Sequence, residues 1–221
     1  ERGHPDAAVR HEAQELIALL TPVVKAFITD NAFATTNLCL EVLGGHGYIA
    51  EWGMEQFVRD ARINTIYEGT NGVQAMDLVG RKLAQNGGRG VRALFELIGP
   101  DTAEARTSGD PAGIADPLEK ALQHLQAATM WLAQNGLADP NNAGAGAYAY
   151  MQLMGLVSLG WMWLKMAGVS SRLKNEAGED RSFHEAKIVT ASFFADRELV
   201  TAGALRRKVE AGAESVMALP E

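Results

Sequence analysis

The residues best placed to do chemistry lie between Glu41 and Gly72, in the run EVLGGHGYIAEWGMEQFVRDARINTIYEGTNG. At its far end stands a carboxylate, Glu68, behind Ile66 and Tyr67 and ahead of Gly69, Thr70 and a new helical pattern. A carboxylate behind two large side chains can be partly desolvated, and desolvation makes it a better proton acceptor, suited to general-base work. The helix that follows opens with unpaired N–H groups able to hold an anion. Base and anion cradle would then share one short element. The plainer alternative is an acid that only complements the helix dipole. Spacing alone leaves both readings open.

These residues need elements to position them. Upstream, Asp6 to Leu20 reads as a helix with Val9, Ala13, Leu16, Ile17 and Leu20 on one side. Thr21-Pro22 has the form of an N-cap followed by proline at the first helical position, which predicts a fresh start there. The second helix carries Val24, Phe27, Ile28, Leu38 and Val42 and stops at Gly44 in the left-handed region. Asn31, Thr35 and Thr36 interrupt its apolar face, as they would beside a polar cavity, another subunit or solvent. Gly44, Gly45 and Gly47 then form a turn that admits close approach of another group to the backbone. His46 reads as a turn residue. A short helix follows over Glu51 to Asn64, with Arg59, Asp60 and Arg62 as a candidate ion-pair network. Thr70 or Asn71 caps the next helix, whose apolar positions are Val73, Met76, Val79 and Leu83.

Beyond Gln85 to Gly90 the pattern changes, and the best domain boundary falls there, giving domains over 1–86 and 87–221. Val91 to Ile98 is a short amphipathic segment, and Gly99 to Asp116, punctuated by Pro100 and Pro111, reads as loop. A helix opens at Asp116-Pro117, carries Leu118, Leu122, Leu125, Thr129 and Leu132, and ends at Gly136. Ala143 to Leu164 contains no charge, long enough to span a bilayer. Its small residues and its neighbours' apolar stripes favour the central helix of a bundle instead. Ser182-Phe183-His184-Glu185 has the spacing of a capping box, followed by Ile188, Ala191, Ala195, Leu199, Ala202, Leu205 and Val209 as a buried face. Trp131, Trp161 and Trp163 are expected in the core. The fold class is all-α: a partial helical bundle followed by a second, antiparallel one.

Composition narrows the partners. A net charge of −7 offers no basic footprint for nucleic acid. The one cysteine, Cys39, forms neither an internal disulfide nor a zinc set and reads as a buried structural thiol, so no metal site is expected and a reducing, cytoplasmic setting fits. The first residues have no apolar signal-peptide core, and the absence of an initiator Met suggests part of a longer chain.

GGHGY, RDARI and IYEGT, in this order and at these intervals, resemble the C-terminal helical domain of the acyl-CoA dehydrogenase family. YEGTNGVQAMDLVGRKL, together with the long C-terminal extension, is similar to the subgroup that contains 3-methylmercaptopropionyl-CoA dehydrogenases. The resemblance implies α,β-dehydrogenation of an acyl-CoA thioester, with FAD as cofactor and Glu68 as the base that takes the α-proton. It further implies that Tyr67 walls the substrate, that the Gly69 region and the Glu68 N–H lie against it, and that Gly44, Gly45 and Thr70 contact FAD, the glycine turn reaching FAD bound mainly by a partner subunit. Implied partners are the acyl-CoA, an electron-transfer flavoprotein or similar acceptor, and further copies in a homodimer or homotetramer. Two positions depart from the family pattern: Glu41 and Gly72 stand where glutamines are common. They support the alternative of a non-catalytic helical interaction module that has lost FAD binding.

Overall fold

The computed structural model describes residues 3–176 and 180–219, and every regular element among them is helical. Helix α1 runs unbroken over Ala7–Val42, and at its start Asp6 accepts a hydrogen bond from the Ala8 N–H. Two short turns, α2 (Gly45–Tyr48) and a 3-10 turn at Ala50–Trp52, reverse the chain, and α3 (Met54–Ile63) packs back on α1. Next come α4 (Asn71–Asp77), which widens into a π turn at Leu78–Lys82, and α5 (Arg89–Ser108). Helix α6 (Ala115–Trp131) ends in a second π turn at Leu132–Gly136. The long α7 (Pro140–Leu173) follows, then α8 (Arg181–Arg197), α9 (Ala202–Glu210) and α10 (Glu214–Met217).

The uncharged run of the sequence is the centre of the molecule. Helix α7 touches α1, α4, α5, α6, α8 and α9. Its Tyr150, Met151, Leu153, Met154 and Val157 are completely buried, and the Tyr150 hydroxyl bonds Thr129 of α6 at 2.8 Å. Glycines mark where partners cross it. A Cβ on Gly155 would stand 2.4 Å from the Phe27 ring of α1, and one on Gly146 3.2 Å from the Val209 carbonyl of α9. By length and composition alone, α1 and α7 could each cross a membrane, but half of α7's most apolar window is packed inside the protein. A single apolar cluster joins Leu19, Val23 and Ala26 of α1 and Leu78 to the helices after residue 88.

Several expectations are overturned. Thr21-Pro22 starts no helix: Pro22 lies inside α1, buried, and the Thr21 hydroxyl donates back to the Ile17 carbonyl at 2.6 Å. The buried face continues through it as Leu19, Val23 and Ala26, while Ile17 is exposed. A proline inside a helix costs about 3 kcal/mol, and uninterrupted apolar burial on both sides offsets it. Pro100 is likewise inside α5, so Gly99 to Ser108 is helix and not loop. The Ser182 capping box does not form; α8 starts at Arg181, and Glu185 pairs with Arg181 at 2.9 Å. Trp131, Trp161 and Trp163 rim the core instead of filling it. An indole N–H needs an acceptor, and that of Trp161 finds Asp101 at 2.7 Å. Cys39 is exposed, on the open side of α1.

Candidate functional site

Glu68 sits where α3 has ended and α4 has not begun. Tyr67 N–H still bonds the Ile63 carbonyl, and Asn71 N–H reaches back to Thr65. Between them the chain turns through two left-handed residues, Glu68 at φ 55° and Gly69 at φ 80°. For a non-glycine residue this is uncommon backbone that must be held by its surroundings. Two side chains do so. Gln74 donates to the Glu68 carbonyl at 3.0 Å, and Lys25 of α1 donates to the Gly69 carbonyl at 2.8 Å. Thr70 caps α4 by accepting from the Val73 N–H at 3.3 Å, which leaves its hydroxyl hydrogen available to another acceptor.

Beneath the turn lies a buried polar knot. Asn71 is 4% exposed and makes contacts in every direction. Its Oδ1 accepts from Lys25 at 2.8 Å, and its Nδ2 donates to Asp30 at 2.7 Å and to Thr29 at 2.9 Å. The second oxygen of Asp30 is reached from α7, by the Tyr148 hydroxyl and by Gln152 at 2.6 Å. Burial, then the hydrogen bond to Asp30 and its charge, push the Tyr148 phenol up to about 12, against a smaller opposite pull from Gln152. Tyr148 therefore stays a neutral donor throughout the physiological range.

Turned outward, the site is open. Glu68, Tyr67, Gly69 and Thr70 are all exposed, and the expected desolvation of Glu68 by Tyr67 is not present within this chain. Tyr67 leans away instead, its hydroxyl donating to Asn64 at 2.8 Å. Among the described residues no acceptor is bonded to the Glu68 backbone N–H. Beside Ile66 runs a groove lined by Phe33, Val58, Arg59, Arg62 and Ile63. The ion-pair network expected of Arg59, Asp60 and Arg62 does not form among the described residues. All three are exposed, Asp60 accepts from Gln56, and Arg62 lies over the Phe33 ring at 5.0 Å.

Gly44 and Gly45 are not brought to Glu68. Lys25 meets the Glu68 turn, whereas the glycine turn begins after Val42, seventeen residues further along the same helix, about 25 Å at the helical rise. A Cβ at Gly44 or Gly45 would meet nothing within 4 Å, so both present bare backbone to open space, with Glu41 exposed beside them. Gly47 is the packed one, its would-be Cβ 2.3 Å from the Leu40 carbonyl. His46 rests edge-on against Trp52 at 4.9 Å. Among the described residues no cluster of His, Cys, Asp and Glu could hold a metal. Asn31 and Thr36 bond carbonyls of their own helix.

Lys25, Asp30 and Gln74 are the residues sequence reasoning missed. Lys25 and Asp30 had one visible signal, charge inside an otherwise apolar helix stretch; Gln74 had none.

A family model for the acyl-CoA dehydrogenase C-terminal domain matches residues 5–83, and one for an acetyl-CoA dehydrogenase C-terminal-like region matches 94–220. The chain belongs to the acyl-CoA dehydrogenase family. Among its relatives, 3-methylmercaptopropionyl-CoA dehydrogenase of Ruegeria pomeroyi is 36% identical over 215 residues, 97% of this chain and 36% of that protein. The broad-specificity linear acyl-CoA dehydrogenase FadE5 of Mycobacterium tuberculosis is 29% identical over 92% of this chain and 34% of its own length. Mitochondrial isobutyryl-CoA dehydrogenase of Bos taurus is 40% identical, but over only 35% of this chain and 18% of that protein. The chain thus spans about a third of the long relatives it matches end to end.

Proposed function

We propose that the parent protein catalyses α,β-dehydrogenation of an acyl-CoA thioester and that Glu68 takes the α-proton. The observation that supports this best is the turn itself: an exposed carboxylate on a left-handed backbone whose two carbonyls are each tied down by a side chain. Such anchoring fixes the carboxylate's direction without covering it, which suits a base that must meet an incoming carbon acid. As the proton leaves, negative charge develops on the thioester oxygen, and this reading gives the Glu68 N–H, bonded to no acceptor among the described residues, the role of donor to it. Desolvation of the carboxylate comes in this reading from the acyl chain and from the remainder of the parent, with Tyr67 and Gly69 as the wall this chain provides.

The residues present fit FAD as one side of its site. Thr70 has a hydroxyl hydrogen to donate, and Gly44 and Gly45 offer backbone that no side chain crowds. FAD, when bound, supplies the acceptor for the hydride from the β-carbon. Lys25, which meets the Gly69 carbonyl, and Val42, where α1 ends before the glycine turn, are about 25 Å apart at the helical rise. Following the family resemblance, this reading gives Thr70 and the glycine turn to different FAD molecules, the second held mainly by a partner subunit, and so includes at least a homodimer. The reading further includes 3-methylmercaptopropionyl-CoA as a substrate, on the strength of the relative's name. It also includes an electron-transfer flavoprotein as acceptor, a cytoplasmic location, and two domains meeting near residue 86.

The test is Glu68→Gln in the full-length parent. FAD stays bound, and reduction of the flavin by acyl-CoA falls by about 10²–10⁴-fold, the usual worth of a general base. Flavin bleaching at the wild-type rate sinks the assignment. A colourless wild-type parent favours the interaction-module alternative, which the acid at Glu41 and the missing side chain at Gly72 support.

A further inference from the structure

We propose that Asp30 is a positioning residue through which α7, in the C-terminal extension, sets the geometry of the Glu68 turn. The path is continuous. Tyr148 and Gln152 of α7 donate to one oxygen of Asp30, Asn71 donates to the other, and Lys25 joins Asn71 Oδ1 to the Gly69 carbonyl. No link in it is longer than 2.8 Å.

The chemistry of the link gives it a direction. The Asp30 carboxylate accepts from the Asn71 amide at 2.7 Å and, with the Ala26 carbonyl at 3.2 Å, holds its NH₂ inward. That leaves Oδ1 facing Lys25, which donates to it and to Gly69 together. With the amide reversed, its NH₂ would face the Lys25 ammonium, donor against donor, and Lys25 would be pushed off the Gly69 carbonyl. The polarity of one buried amide is therefore read out as the position of the backbone next to the base. Tyr148 and Gln152 matter because they hold Asp30 on its other side, and Tyr148 remains a donor because its phenol titrates only at about 12. The α7 residues that hold Asp30, Tyr148 and Gln152, lie outside the 5–83 region matched by the acyl-CoA dehydrogenase C-terminal domain model. An extension otherwise concerned with packing thus reaches the chemistry.

The inference rests on the reading of Glu68 as the base, and its test separates the two. In the flavin-loaded full-length parent, Tyr148→Phe combined with Gln152→Leu removes both α7 donors while keeping most of the volume. The probe is 3-methylmercaptopropionyl-CoA or butyryl-CoA, whichever bleaches the wild-type flavin. We expect the flavin-reduction rate at saturating substrate to fall about tenfold, equivalent to ~1.4 kcal/mol, with substrate affinity unchanged. Amide exchange should quicken in the segment 65–74 and nowhere else. Tyr148→Phe alone, at a half-exposed ring, keeps the test available should the double variant fold poorly, and is expected to move both readouts the same way by less. Asp30→Asn, whose amide can present NH₂ or oxygen to Asn71, should reproduce the loss. Unchanged rate and unchanged exchange overturn the proposal. So does a fall in rate accompanied by faster exchange throughout the bundle, which means general loosening. If Glu68→Gln keeps the wild-type rate in the same assay, the base assignment fails, while exchange at 65–74 still judges the coupling by itself.

Discussion

Two regions of this molecule obey opposite rules. From α5 to α9 the helices close on α7, and large side chains such as Leu118, Leu125, Tyr150 and Met154 reach zero exposure. From the end of α1 through α4 the apolar side chains point outward: Val42 is 86% exposed, Tyr48 77%, and Trp52, Phe57, Ile66 and Val73 about half or more. In the proposed reading, other protein of the parent covers these side chains, as apolar patches left open on a surface commonly mark sites that meet protein. The candidate site belongs to the open region, yet its backbone is held from the closed side, by Lys25, Asn71 and the carboxylate that α7 grips. The site is rigid below and unfinished above. In the proposed reading, one part of the protein fixes the geometry of Glu68 while another supplies the cover.

The comparison breaks most easily under truncation. Leu125→Ala, in the closed region at zero exposure, should cost about 2–5 kcal/mol, from lost burial and the cavity left behind. Phe57→Ala, in the open region, should change stability of the isolated chain by no more than about 0.5 kcal/mol. Urea unfolding measures both. In the assembled parent the second number should grow, since a face that is covered there loses contacts on truncation. Equal costs in the isolated chain would mean that the two regions do not differ as described.

A smaller effect sits at the seam between them. Gly69 has φ 80°, and a Cβ there would stand 2.8 Å from Gln74 Nε2, the group that ties down the Glu68 carbonyl. Gly69→Ala should therefore cost about 1–3 kcal/mol in backbone strain and release Gln74. The released turn should exchange its amides faster, with the bundle around α7 unchanged. Exchange data on the variant check this directly.

How much of this was legible in the residues follows the same division. Where burial decides, patterns could be read: the stripe Leu118, Leu122, Leu125 and Leu132, the uncharged run that became α7, and the Thr70 cap all stand as expected. The prolines misled because a local rule was given precedence over a continuing apolar spacing. Leu19, Val23 and Ala26 keep the helical phase straight across Pro22, as Leu94 and Ile98 lead up to Pro100. The site was half legible. Motif spacing pointed to Glu68 and Thr70, but apart from Gln74 the groups that hold the turn are distant in sequence, Lys25 lying 44 residues before Gly69 and Asp30 41 before Asn71, and act through side-chain bonds that carry no periodicity. The separation of Gly44 from Glu68 also could not be read, because it follows from the bond of Lys25 to the Gly69 carbonyl, 44 residues away in sequence.

The finest contrast concerns charge. In the closed region Asp101 of α5 accepts from Trp161 and Lys165 of α7, at 2.7 and 2.8 Å. Burial raises its carboxyl, but those hydrogen bonds and the Lys165 charge outweigh burial and hold it below its ordinary 3.8. A carboxylate lowered in the folded state stabilises the fold above the unfolded value, and that contribution disappears as pH falls through the lowered one. Lys165 is 52% exposed, so water screens the pair and the expected worth is small. Asp101→Asn should accordingly cost about 0.5–1 kcal/mol at pH 7, with the difference from wild type shrinking as acid protonates the native carboxylate. In the open region the Asp60 carboxylate, among the described residues, accepts from Gln56 alone, and Asp60→Asn should leave stability within about 0.5 kcal/mol at either pH. Urea melts of both variants at neutral and acid pH measure the pair. No cost at either pH would assign the role of Asp101 to the Trp161 hydrogen bond alone, since an asparagine carbonyl still accepts from the indole but no longer attracts the lysine.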